Sequence, residues 1–157
     1  IRISKNDMDY WANPEVQAKA PESMAPRFLP AKRAVAAYGE RIRPFNFGEE
    51  LTPGVRAIEA TGHSPGHTCF MVQSGSARLM VIGDTIHVAP VQFPRADITV
   101  IMDGDQAKAR SMRKTIFEMA VAEGFPIAGA HLPFPGIGRL RKNGDAYVFD
   151  VVPWQLF

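Results

Sequence analysis

The residues in this chain best placed to do chemistry are four histidines and one aspartate. His63 and His67 stand in the stretch Thr61-Gly62-His63-Ser64-Pro65-Gly66-His67-Thr68. The Ser-Pro-Gly between them cannot be a helix interior. Proline fixes its own φ and pushes its predecessor toward extended backbone, while glycine takes dihedrals that other residues avoid. The two imidazoles therefore share a tight loop rather than a helix face, and only one of them need point at a site. Asp84 and His131 each stand just past an apolar run, after Gly83 and Ala130. His67, Asp84 and His131 together form a divalent-metal ligand set well suited to zinc. Taken singly, each is as readily a satisfied core or surface group.

These residues need elements to position them. Val55 to Ala60 alternates as a strand into the histidine loop, and Thr68 to Val72 leaves it as another. Arg78 to Ile82 is a third strand, ending at Gly83-Asp84-Thr85. Short strands joined by small turns predict a largely antiparallel sheet. Ile98 to Met102 reads as a further strand, followed by a helix opened by Asp103 and Gln106 as a capping box and closed by Gly124. That helix places Ala109, Met112, Ile116, Met119 and Ala120 on one face. Pro126 to Ala130 reads as a buried strand ending at His131, and Asn143-Gly144 turns a hairpin between Arg139–Lys142 and Ala146–Val151. Toward the N-terminus, Ser4 and Asp7 mark a helix start. Pro14, Pro21, Pro26 and Pro30 keep anything before residue 31 short or kinked, and Ala31 to Tyr38 favours a helix stopped by Gly39. This segment is either a lid or pocket wall, or a plain connection.

The bulk numbers suit one soluble globular domain: 157 residues, 46% hydrophobic, 22% charged. The net charge of +2 is small, and clusters such as Arg110, Arg113 and Lys114 read as solvated faces, so no nucleic-acid partner is expected. No apolar run reaches the roughly 18 residues of a membrane span, and no signal peptide is visible. The compartment stays open, since disulfide-free proteins occur everywhere. The single cysteine, Cys69, lies in an apolar run and reads as a buried thiol. The chain opens on Ile1-Arg2-Ile3-Ser4, which reads as the end of a strand and so as a start inside a domain.

Three stretches carry a family resemblance. The loop Thr61 to Thr68, Gly83-Asp84 after an apolar strand, and Ala130-His131 after another resemble the later metal motifs of the metallo-β-lactamase superfamily, in order and spacing. The wider wording, Gly83 to Val88 with Val91-Gln92-Phe93-Pro94, and Ala130 to Gly138, is similar to the methyl parathion hydrolase branch, which includes lactonase-like enzymes. The likeness runs from about Ile1 to Val151. It implies an α+β fold, the four-layer αββα sandwich, and two divalent metal ions, zinc foremost. His67 would bind the first metal, Asp84 would bridge both, and His131 would bind the second. A hydroxide held by the metals would attack an ester-like bond of a small-molecule substrate: a lactone, a carboxylic ester or a phosphotriester. His63 would stand behind the ligands. His87 would line the pocket or contact substrate, with a structural hydrogen bond the alternative. Trp11, Phe28 and Phe93 would wall a leaving group, with core packing the alternative for each.

The family's first metal motif, His-x-His-x-Asp-His, is absent from this sequence. Residues 1–157 thus resemble a single partial domain, the C-terminal half of the sandwich, whose first partner would be the other half; a homodimer stays open as well. The alternatives are a thioester hydrolase or iron-dependent dioxygenase of the same superfamily, or a non-catalytic remnant.

Overall fold

The computed structural model describes residues 1–153. Seven strands make one sheet in strict sequence order: β3 (Glu50–Thr52), β4 (Val55–Glu59), β5 (Thr68–Ser74), β6 (Ala77–Val81), β7 (Ile127–Ala128), β8 (Ile137–Asn143) and β9 (Ala146–Val151). Every neighbouring pair is antiparallel except β6–β7, where Met80 faces Ile127 and Val81 faces Ala128 in parallel. That junction demands a crossover, and the connection carries helices α4 (Ala89–Gln92) and α5 (Gln106–Glu123). Strand β1 (Arg2–Ser4) pairs in parallel with β2 (Arg43–Phe45), apart from the large sheet. Between β1 and β2 run α1 (Lys5–Trp11), α2 (Pro14–Lys19) and α3 (Ala25–Tyr38).

Topology alone gathers the polar residues. Parallel neighbours end at the same edge, so Asp84 past β6 and His131 past β7 lie side by side. Strands β4 and β5 run antiparallel, with Glu59 opposite Thr68, so the loop joining them opens at that same edge. Open sheets place their sites in this position, where side chains from several strand ends converge.

The core lies between one sheet face and α5. Cys69, Met80, Ile127, Leu140 and Tyr147 from the strands meet Ile116, Phe117 and Ala120 from the helix, with Phe93 and Phe125 closing the sides. Each large apolar side chain buried here contributes about 1.5–3 kcal/mol. On the opposite face, Phe45 of β2 meets Phe70, while Val72 and Val81 stay exposed. No helix of the described residues is long and apolar enough to cross a membrane.

Four expectations need correction. Ile98 to Met102 is not a strand, because side chains occupy its backbone: Gln92 Nε2 and Arg113 Nη1 donate to the Ile98 carbonyl, and Asp103 accepts from the Val100 amide. Helix α5 is capped by Asp105, whose carboxylate accepts from Lys108 N at 2.9 Å; Asp103 is turned elsewhere. The buried stripe of α5 includes Arg113 and Phe117, while Met112 and Met119 are half-buried. Arg113 was expected on a solvated face. In the N-terminal segment, α3 begins at Ala25 rather than Ala31, with Pro26 tolerated in its first turn and Pro30 accepted inside it. Fully buried Phe28, packed on Tyr10 and Trp11, anchors that turn.

Candidate metal centre

The loop between β4 and β5 is built by close approach. Gly62 has φ +128°, and a Cβ there would stand 2.2 Å from the Ala109 amide of α5. This lets the loop lie directly on the first turns of the helix, with Gly104 N donating to the His63 carbonyl and Asp105 N to that of Gly62. From the other side, Asp7 of α1 accepts the Ser64 hydroxyl at 2.9 Å and the Gly66 amide at 2.8 Å. The loop is clamped between two helices before its histidines do anything.

His63 faces the site. Its Nε2 lies 3.3 Å from Asp84 Oδ2, and its Nδ1 lies 3.2 Å from Asp103 Oδ1. His131 approaches the other oxygen of Asp84, Nε2 to Oδ1 at 3.4 Å. One carboxylate thus meets an imidazole Nε2 at each of its two oxygens. His87 lies between the two rings, 4.8 Å from His63 and 4.7 Å from His131 by centroid, stacked on the latter. Its Nδ1 is buried with no hydrogen-bond partner among the described residues. Donor atoms of His63, Asp84 and His87 all lie within 4.8 Å of one another. A converging set of imidazole nitrogens around a carboxylate, with one buried nitrogen orphaned, fits a divalent cation such as zinc. The His87 amide is held by Gln92 Oε1 at 2.7 Å. Burial, reinforced by nearby His63, pushes the His87 imidazole below its usual pKa.

His67 is placed otherwise than expected. Its Nδ1 donates to the Ala60 carbonyl at 2.9 Å, and its Nε2 accepts the Asp84 amide at 3.0 Å. Both nitrogens are committed to main chain, so neither is left for a ligand in this conformation. Gly83, at φ +50°, makes room: a Cβ there would stand 2.8 Å from His67 Nε2. Burial lowers the His67 pKa, against the opposing pull of its Ala60 hydrogen bond.

A cavity of about 920 Å³ opens above these groups. His63, Asp84, His87 and His131 form part of its lining, with Tyr10, Trp11 and Met24 supplying an apolar wall. The N-terminal segment is therefore a pocket wall. Of the expected aromatic lining only Trp11 reaches the cavity. Phe28 packs behind Tyr10 and Trp11, and Phe93 belongs to the core, stacked on Phe149. Tyr10 and Met24 were not anticipated; adjacency to Trp11 was the one available signal for Tyr10.

Solved structures share this arrangement of elements. The hydrolase AbOPH of the β-lactamase superfamily superposes with a TM-score of 0.89 at 29% identity, over 98% of this chain and 55% of that one. The chain has the metallo-β-lactamase fold and resembles hydrolases of that superfamily. AidC, a dizinc quorum-quenching lactonase solved with N-hexanoyl-L-homoserine as product, matches this chain with a TM-score of 0.85 at 24% identity, over 100% of the chain and 55% of AidC. A probable metal-dependent hydrolase from Staphylococcus aureus matches with a TM-score of 0.64 at 14% identity, over 98% and 53%. The chain therefore spans about half the length of the solved structures it matches. No family model and no curated protein matches it.

Proposed function

We propose that this chain is the C-terminal half of a metal-dependent hydrolase acting on an ester-like bond, in a site completed by the other half of the sandwich. The observation that carries the reading is Asp84, whose two oxygens each face a histidine Nε2, at 3.3 and 3.4 Å. Asp84, with His63 and His131, would hold two divalent cations there. His63 takes the ligand role in place of His67, whose ring nitrogens are both engaged. When bound, two divalent cations such as zinc supply Lewis acidity, lowering the pKa of water and polarising a carbonyl or phosphoryl oxygen.

The chain's own residues do the rest. Tyr10, Trp11 and Met24 give the apolar part of a substrate a surface to bury, which orients its reacting bond toward the histidine floor. His87, whose ring lines the cavity beside both other imidazoles, is positioned to contact a substrate oxygen or to join the ligands. The exposed Val72 and Val81, on the sheet face away from α5, are the surface that a second sheet would cover. A lactone, a carboxylic ester and a phosphotriester are the substrate classes proposed.

The test is turnover of the complete sandwich on those three classes, beside glutathione thioesters and persulfides, before and after chelation. Hydrolysis of an ester-like substrate, lost with chelator and restored by zinc, is the expected result. Chelator-insensitive turnover would overturn the reading. Preference for thioesters or persulfides would move the protein to the thioesterase or dioxygenase branches. No turnover with bound metal would leave a non-catalytic domain.

A further inference from the structure

Asp103 and Arg113 are charged side chains that the hydrolase reading leaves without a task, and each is only 1% exposed. Taking a carboxylate and a guanidinium out of water is tolerated where every polar atom finds a partner. Arg113, from the middle of α5, meets this condition. Its Nε donates to the Thr85 carbonyl at 2.8 Å, its Nη1 to those of Ala96 and Ile98 at 3.1 and 2.7 Å, and its Nη2 to Asp103 Oδ2 at 3.4 Å. The same Oδ2 accepts the Val100 amide at 3.1 Å. These contacts would suffice if Asp103 only closed the loop before α5. The remaining oxygen, Oδ1, is directed to His63 Nδ1 at 3.2 Å.

That last contact has a chemical direction. A carboxylate has no hydrogen to give, so His63 Nδ1 carries the hydrogen and donates it. With a cation beside Asp84, Nε2 is the nitrogen left to face it, and it is the atom 3.3 Å from Asp84 Oδ2. A lone pair facing a carboxylate oxygen at that distance is unfavourable unless a positive charge lies beside both. The main chain holds the same register, through the amides of Gly104 and Asp105 on the carbonyls of His63 and Gly62.

We infer that Asp103, anchored by Arg113, is a positioning residue: it holds His63 as the Nδ1–H tautomer with Nε2 aimed past Asp84, and thereby sets how tightly this site takes up a divalent cation. The inference rests on the reading that His63 and Asp84 hold such a cation. Partners of this kind fix ring orientation and raise ligand basicity, and their loss weakens metal affinity by about 10–100-fold.

The experiment uses Asp103→Asn in the full chain. The amide can keep one oxygen for Val100 and Arg113 and turn its NH₂ toward His63, whose Nδ1 must then accept. In the zinc-loaded unmodified protein, ¹⁵N NMR of the imidazoles should show His63 carrying its hydrogen at Nδ1 and none at Nε2; in metal-free Asp103→Asn the hydrogen should sit at Nε2, with Nδ1 accepting from the amide. Zinc affinity, read by competition with a chromophoric chelator, should fall by about 10–100-fold in the variant. A hydrogen on His63 Nε2 in the zinc-loaded unmodified protein overturns the proposal without any variant, so a poorly folding Asp103→Asn leaves it testable. Equal zinc affinity of the two proteins overturns it while sparing the metal site. Failure of the unmodified protein to bind zinc at all overturns the site reading, and this inference with it.

Discussion

The two ends of the histidine loop carry the same side chain and meet different partners. His67 is held by main chain on both sides, linking the Ala60 carbonyl past β4 to the Asp84 amide past β6. His63, four residues earlier, is held by side chains, with Asp103 on Nδ1 and Asp84 beside Nε2. A histidine with both nitrogens on backbone is a cross-link between strand ends. One held by a buried carboxylate at a single nitrogen keeps the other for a ligand. On this comparison the loop has a structural end and a chemical end, only a few residues apart.

The largest effect should come from the support of the chemical end. Arg113→Ala strands Asp103 as a buried charge and frees the carbonyls of Thr85 and Ala96. Loss of one partner of a buried pair costs about 3–5 kcal/mol, measurable as a lower urea midpoint. A loss under about 1 kcal/mol, as for an exposed pair, would mean that the His63 end is not braced in this way. Next comes the direct contrast. His63→Ala should weaken zinc binding by more than the roughly 100-fold expected for losing an outer partner. His67→Ala should leave zinc affinity nearly unchanged while lowering stability by about 1–3 kcal/mol, the penalty for an unsatisfied amide and carbonyl. If His67→Ala abolishes zinc binding in a folded protein while His63→Ala does not, the two ends have been assigned the wrong way round.

Why sequence reading aimed His67 at the site, where the fold turns His63 toward it, is a matter of distance along the chain. The strands flanking the loop, and the places of Asp84 and His131 past strand ends, follow from local apolar runs and turn residues. Which imidazole faces inward depends on Asp103, 40 residues from His63, and on the Asp84 amide, 17 residues from His67. No local pattern carries either contact. Buried Arg113 was missed for a related reason. Helical periodicity treats arginine as a polar-face residue, while its burial is made by carbonyls of a distant loop. The same loop looked like a strand at Ile98–Met102 because it is a run of β-branched and apolar residues, although its backbone groups are satisfied by side chains. The sheet and α5 depend on neighbours in sequence and were legible; the inward turn of a side chain depends on neighbours in space.

A smaller effect should appear in the pH dependence of stability. Burial lowers the pKa of His67 in the folded state below its usual value near 6.5. The unfolded chain then binds the proton more readily, so stability is fully present above about pH 6.5 and falls as acid is added. One such group contributes a slope of at most about 1.4 kcal/mol per pH unit below that point. His67→Gln should flatten the decline of the urea midpoint between pH 7 and 5. His87 is lowered for the same first reason and should leave a residual slope. An unchanged profile would remove burial at the structural end as a source of acid sensitivity.

The least perturbing test uses Cys69 as a reporter placed under the structural end. Cys69 lies two residues after His67 at the start of β5, fully buried, with its thiol near the Ile82 carbonyl and the Thr85 hydroxyl. Burial pushes its pKa up to about 12, so at pH 8 almost no thiolate exists in the folded protein and an aromatic disulfide reagent should label it only through opening. Urea should make it fully reactive. Opening at this edge requires release of the link that His67 makes between Ala60 and Asp84, and His63 takes no part in that link. Labelling in His67→Ala should therefore accelerate by about tenfold for every 1.4 kcal/mol of local stability lost, while His63→Ala labels at the unmodified rate. Equal acceleration in both variants would mean that the loop opens as one unit, and that the contrast between its ends is one of ligand chemistry alone.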